Sequence, residues 1–244
     1  MTITAEALAI VLVIIFFAHV VQTITGFAGS MLAIPFLTFV ISLPDAKVLI
    51  TVIGLLWSLW ILATDHRYID WHFLGFAVAL MSAGMLVGTM LVRIVPSQGL
   101  MVVMGVTIII SALRNLMHHA NRESRHLGRD IVFGFGAGVM QGMVLMGGPL
   151  LVVLTNAHFT DRRYYRATLA ALWLIVDLIL LGLFWQAKAV TIASLMMTAA
   201  NIIPLILAII VGNRLNVRIN AKRFDRLVNG LLIFSGMTIL FQAV

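Results

Sequence analysis

QTITGFAGSMLAIP, residues Gln22 to Pro35, interrupts the first long apolar run of the chain with two glycines, a serine, two threonines and a glutamine. A second stretch, QGMVLMGGPLLVVL from Gln141 to Leu154, is built the same way. In each, a glutamine precedes a small pair by the same spacing: Gln22 to Ala28-Gly29, and Gln141 to Gly147-Gly148. Inside apolar helices, such clusters either let two helices approach closely or build a binding site.

The rest of the chain places both stretches in a membrane. It has 244 residues, 62% hydrophobic and only 10% charged, with mean hydropathy +1.10. Soluble domains have roughly 45–50% apolar and about 25% charged residues. Many apolar runs approach the roughly 20 residues that span a bilayer. The alternating polarity of a β-barrel is absent. The fold class is therefore an all-α polytopic membrane protein. The net charge of +7 marks loops on the cytoplasmic face, not a nucleic-acid surface. With no cysteine there is no disulfide or thiolate metal site, and neither a metal nor a cofactor is expected. The N-terminus has Glu6 but no Lys or Arg before the first apolar run, so it reads as a retained first helix.

Ten apolar segments follow one another: 6–28, 30–43, 46–64, 72–93, 98–115, 130–146, 148–158, 164–186, 188–212 and 224–243. The second and seventh start right after the two small-residue breaks. At about 1.5 Å per residue they reach only about 21 and 16 Å of a core about 30 Å thick. They read as half-helices that begin near mid-membrane, leaving about eight full spans.

The basic residues sort onto two faces when the spans alternate. One face receives Lys47, Arg93 and Lys188, and the other receives the remaining 13 of the 16. The richer face is cytoplasmic by the positive-inside rule, which puts both termini outside.

The polar stretch 118–129 separates two halves, 1–117 and 130–244, with matched features. Gln22 corresponds to Gln141, Asp45 to Asp161, Leu56-Trp57 to Leu172-Trp173, and Gly88-x-x-Leu91 to Gly212-x-x-Leu215. Each half crosses an odd number of times, so the expectation is two inverted-topology repeats, each with a broken helix and a short half-helix. Secondary transporters share this plan, with the site at the repeat interface.

A half-helix that starts at a break leaves its first N–H groups unpaired and carries partial positive charge at its N-terminus. Two such ends suit a small anion. The candidate substrate-binding residues are Gln22, Thr25, Gly26, Gly29 and Ser30 in the first break, and Gln141, Gly142, Gly147 and Gly148 in the second. The alternative is that the glycines are helix contacts and the glutamines interhelical hydrogen-bond partners. Asp177 is a carboxylate deep in an apolar run, and His19 lies in the first segment. Both are candidates for proton coupling, and both could instead be structural. Asp45 and Asp161 are expected as N-caps, and Asn201 with Pro204 as a kink. No H-E-x-x-H, Walker A or G-x-S-x-G motif is present, so no enzyme is expected.

Gly26-Phe27-Ala28-Gly29-Ser30 with Pro35, Gln141-Gly142 through Gly147-Gly148-Pro149, Ile69-Asp70-Trp71 and Gly212-Asn213-Arg214-Leu215 give the whole chain a further likeness. It resembles the TauE/SafE family of sulfite exporters and sulfonate permeases. Ala28 and Ser30 stand where that family's first motif has glycines. The resemblance implies two repeated halves and transport of sulfite or an organosulfonate.

The reading from sequence is thus a secondary transporter of a small anion in a bacterial inner membrane, working by alternating access. Its partners are the substrate and the lipid bilayer, and a homodimer is open to it. A passive anion channel on the same scaffold and a non-transporting membrane assembly protein are the alternatives.

Overall fold

The computed structural model describes residues 5–117, 126–156, 158–218 and 221–243, and these are helical with short connections. The chain runs α1 (Ala5–Thr25), α2 (Gly29–Leu37), α3 (Leu43–Asp65), a 3-10 turn (His66–Tyr68), α4 (Trp71–Leu91) and α5 (Ser97–Met117). It continues through α6 (Leu127–Val144), α7 (Gly148–Asn156), α8 (Arg162–Gln186), α9 (Ile192–Ala200), α10 (Ile202–Arg218) and α11 (Ala221–Ala243). Most of the 118–129 linker, with His118, His119, Arg122 and Arg125, lies outside the described residues.

By length and composition, α1, α3, α4 and α8 can each cross a membrane, and α9 with α10 makes a fifth span if the bent pair counts as one. The expected kink in the ninth segment is there. α9 and α10 meet at a 41° bend, with Asn201 between them. Both short half-helices are also there, at nine residues each.

Local chemistry fixes the helix ends, and it corrects one expectation. Ser42, not Asp45, caps α3. The Asp45 N–H donates to Ser42 Oγ (3.3 Å), and Ser42 Oγ donates to the Asp45 carboxylate (2.6 Å). The helix thus starts three residues upstream of the predicted cap, where Pro44 suits its first turn. Asp161 does cap α8, its carboxylate accepting the Arg163 N–H at 2.8 Å. Thr191 and Ser194 form a reciprocal box at the start of α9.

The chain gathers into two compact units. One comprises Met1–His66 and Leu169–Ile219, the other Arg67–Thr168 and Asn220–Val244. In the first unit, α1 lies along α10, and α2 folds back on α1 and rests on α3. Gly212 lets the α1–α10 pair close up, because a Cβ there would stand 2.6 Å from Thr23 Cβ.

In the second unit, α4 lies along α6 and α5 along α11. The α4–α6 seam is a glycine zipper. Cβ atoms at Gly84 and Gly88 would strike the backbone of Phe135 and Val139, and those at Gly138 and Gly142 would strike the Met81 and Met85 carbonyls. Such close backbone approach is how helices gain packing in lipid, where hydrophobic burial cannot hold them together.

Candidate functional site

In the first unit, α1 unwinds after Thr25. Gly26 takes φ 86°, a left-handed turn that glycine adopts without the penalty of a side chain, and its N–H still donates to the Gln22 carbonyl (2.6 Å). The Thr25 hydroxyl donates to the Val21 carbonyl (2.9 Å) and accepts the N–H groups of Phe27 (3.4 Å) and Ala28 (3.2 Å). Thr25 therefore builds the break.

Two tryptophans brace the break from outside. Trp173 Nε1–H donates to the Gly26 carbonyl and Trp57 Nε1–H to the Thr23 hydroxyl, both at 3.0 Å. Both rings are buried, so their matched positions in the sequence mark packing.

α2 then starts at Gly29 with no side-chain cap. Its first intrahelical bond is Leu32 N–H to the Ala28 carbonyl (3.2 Å), so the N–H groups of Gly29, Ser30 and Met31 have no acceptor among the described residues. The Gln22 side chain lies directly on Gly29: a Cβ there would run into its Oε1 and stand 2.9 Å from its Cβ and Cδ. Gln22 is only 8% exposed, and its amide makes no hydrogen bond among the described residues. Ser30 is half-buried beside it. The break thus holds three backbone donors, an uncommitted amide and a hydroxyl at the positive end of a helix.

The second break lies in the second unit and is closed more fully on itself. Leu145, rather than a glycine, takes the left-handed conformation (φ 58°) and donates its N–H to the Gln141 carbonyl at 3.0 Å. Gln141 Oε1 accepts the Gly147 N–H (3.1 Å), which commits the amide oxygen that Gln22 leaves free. Gly147 abuts α6, where its Cβ would stand 2.5 Å from the Ala137 carbonyl, and Gly142 belongs to the α4–α6 zipper. α7 begins at Gly148, with Pro149 in its first turn.

The two coupling candidates are both buried. His19 sits in α1 with Nδ1 on the Ile15 carbonyl (2.9 Å), while its Nε2 has no partner. Asp177, on α8, is 6% exposed and has no hydrogen-bond partner among the described residues. Its Oδ2 faces bare backbone, 2.7 Å from where a Cβ on Gly54 would stand.

The sulfite exporter TauE/SafE family pattern matches residues 11–239. The chain belongs to that family. No curated protein and no solved structure matches it significantly.

The family match and the apolar helices make this TauE/SafE member a multi-pass membrane transporter. The family-like Ile69-Asp70-Trp71 stretch has a role that its sequence does not show. Asp70 caps α4 by accepting the Phe73 N–H (3.0 Å), pairs with His158 Nε2 (3.0 Å), and donates its own N–H to the Thr168 hydroxyl (2.9 Å). The His158 ring packs on Phe73 (4.5 Å) and Phe159 (4.9 Å). The backbone N–H of Phe73, aided by His158, holds the Asp70 carboxyl below the ordinary carboxylate range, against a smaller effect of burial. The connection after α7 is thereby tied to the head of α4. Sequence reading passed over His158 because its partner lies 88 residues away.

Proposed function

We propose that this TauE/SafE member is a secondary transporter of a small anion, sulfite or an organosulfonate, in a bacterial inner membrane, with the first break as its principal anion-binding element. Gln22, Gly29 and Ser30 touch the substrate. Thr25 and Gly26 hold the break open, and Gln141, Gly142, Gly147 and Gly148 shape its counterpart in the second half. The observation that carries this reading is the uncommitted Gln22 amide lying on a helix start with three free N–H groups. A helix N-terminus attracts anions through these donors and its dipole, with no buried Lys or Arg needed.

The matched run of helices in the two halves supports an inverted repeat. A long helix is followed by a nine-residue half-helix, then by a helix of 23 residues in one half and 25 in the other. In both halves the residue four after the conserved-spacing glutamine turns left-handed, Gly26 in one and Leu145 in the other. Alternating access by movement of one repeat against the other is the mechanism this plan suits.

The test is counterflow of labelled sulfite or sulfonate in proteoliposomes. A carrier shows trans-stimulation, and a passive channel shows none. Gln22→Ala lowers uptake by about tenfold or more, the effect of losing one hydrogen bond to a charged ligand. Normal uptake by Gln22→Ala and Ser30→Ala, at wild-type expression, refutes the site. Stabilisation of the purified protein by carboxylates but by no sulfur oxyanion refutes the substrate class.

A further inference from the structure

The first break offers hydrogen-bond donors but no positive side chain. No Lys or Arg occurs from Met1 to Ala46, so α1, the break and α2 carry none. The helices that touch the break add none beside it. α3 has only Lys47, near its start and about 15 Å of helix before Trp57, the residue that reaches Thr23. α8 has none from Ala167 to Gln186, the stretch that carries Trp173. On α10, Arg214 comes two residues after Gly212, the glycine that touches Thr23. It is turned about 200° from α1, and it is exposed. The second break is equally bare, with no Lys or Arg from Ile131 to Asp161.

The formal charge that does stand near the first break is negative. Asp177 lies one turn beyond Trp173, whose Nε1–H holds the Gly26 carbonyl. Its Oδ2 rests on Gly54, one turn before Trp57. When ionised, Asp177 repels an anion in the break, and when neutral it adds nothing to hold one.

What holds an anion there is the start of α2, equivalent to roughly half a positive charge, and a set of neutral donors. These are the N–H groups of Gly29, Ser30 and Met31, the Ser30 hydroxyl and the Gln22 amide. Gln22 is 8% exposed, and its uncommitted amide lies on that helix start. The set suits one sulfonate-like group, whose three oxygens share a single charge. A second negative charge taken out of water at this place meets no counter-charge, and that cost is steep. The Gln22 amide also presents an acceptor, which a protonated anion can engage and a fully deprotonated one cannot.

We infer that the first break selects its substrate by charge. It takes singly charged anions, such as an alkanesulfonate or hydrogensulfite, and rejects doubly charged sulfite and sulfate. Sulfite is then carried with its proton attached, so each turnover moves one acid equivalent. This rests on the anion site proposed above and narrows its substrate to the monoanion.

The experiment follows thermal unfolding of the purified full-length protein in detergent at constant ionic strength, with three probes. Methanesulfonate is singly charged throughout, sulfate is doubly charged throughout, and sulfite passes from one charge to two near neutral pH. Sulfate stabilises many proteins by exclusion from their surface, so the quantity compared is the saturable rise in Tm that Gln22→Ala loses. The wild type is expected to show that rise with methanesulfonate, equally on the acid and alkaline sides of neutrality. Sulfite matches it on the acid side and needs about tenfold more, or greater, on the alkaline side, as its protonated share falls. Sulfate gives no saturable rise. The titratable groups beside the break are His19, three residues before Gln22 on α1, and Asp177 on α8; α2 has none, and those of α3 stand towards its ends. A change in His19 or Asp177 moves methanesulfonate and sulfite together, and such a parallel shift would overturn the inference by placing the titration in the protein. A saturable response to sulfate that Gln22→Ala loses, or a sulfite response undiminished on the alkaline side, overturns it while leaving the site standing. Silence to all three anions, or a full methanesulfonate response in Gln22→Ala, removes the site and the inference with it.

Discussion

Gly29 and Gln22 give the sharpest test of the first break. A methyl group added at Gly29 would overlap Gln22 Oε1 and stand 2.9 Å from both Cβ and Cδ of that side chain. The amide tip can swing aside, but Cβ is fixed to the α1 backbone, so the strain is not fully relieved. Gly29→Ala should therefore cost about 1–3 kcal/mol, the usual range for overpacking. Gln22→Ala breaks no hydrogen bond within the protein and should cost about 0.5–1 kcal/mol in lost packing. It also removes the obstacle. The double variant Gln22→Ala/Gly29→Ala should be about as stable as Gln22→Ala alone, a coupling of about 1–3 kcal/mol. For a chain of this length each kcal/mol moves Tm by about 2–4 °C. Thermal unfolding of the four proteins in detergent measures the cycle, and proteoliposome uptake is measured in parallel. Stability should return in the double variant while transport stays low, because the space is restored but the amide is not. Costs that add within about 0.5 kcal/mol would show that the two residues do not touch, and would refute the geometry of the break.

Further outcomes follow from the packing and the caps. Gly138→Val places a branched side chain against the Met81 carbonyl in the α4–α6 zipper. It should cost about 3 kcal/mol or more and reduce the monodisperse yield on size exclusion, whereas Gly128→Ala, in open space, should not. Gly26→Ala must hold a left-handed turn and should lose about 1–2 kcal/mol in the same unfolding assay. Because the Asp70 carboxyl is held low in the folded protein, its contribution is present above the ordinary carboxylate pKa and is lost as pH falls through the folded value. Tm measured from neutral pH down to strong acid should fall less steeply in Asp70→Asn than in the wild type, and parallel curves would show that the cap does not titrate with folding.

The sequence by itself determined the membrane class, the order of the helices and the position of each interruption. These follow from short-range physics. About 20 apolar residues match a bilayer, a cluster such as Gly26-x-x-Gly29 unwinds a helix locally, and Asn201 near Pro204 bends one. The cap of α3 was misplaced by three residues because Ser42 and Asp45 are both good capping residues, and only the backbone turn at Ser42 selects between them.

Tertiary structure alone decided what each small or polar residue is for. Gly29 and Gly142 look alike in sequence, yet one faces a free amide and the other a carbonyl of a neighbouring helix. Gln22 and Gln141 occupy matching positions, yet only Gln141 spends its amide oxygen on its own break. Gly54 gave no signal of its own, because only folding brings Asp177 of a distant helix against it. Hydrogen-bond commitment and close approach are properties of neighbours brought together by folding, and local pattern does not encode which neighbours arrive.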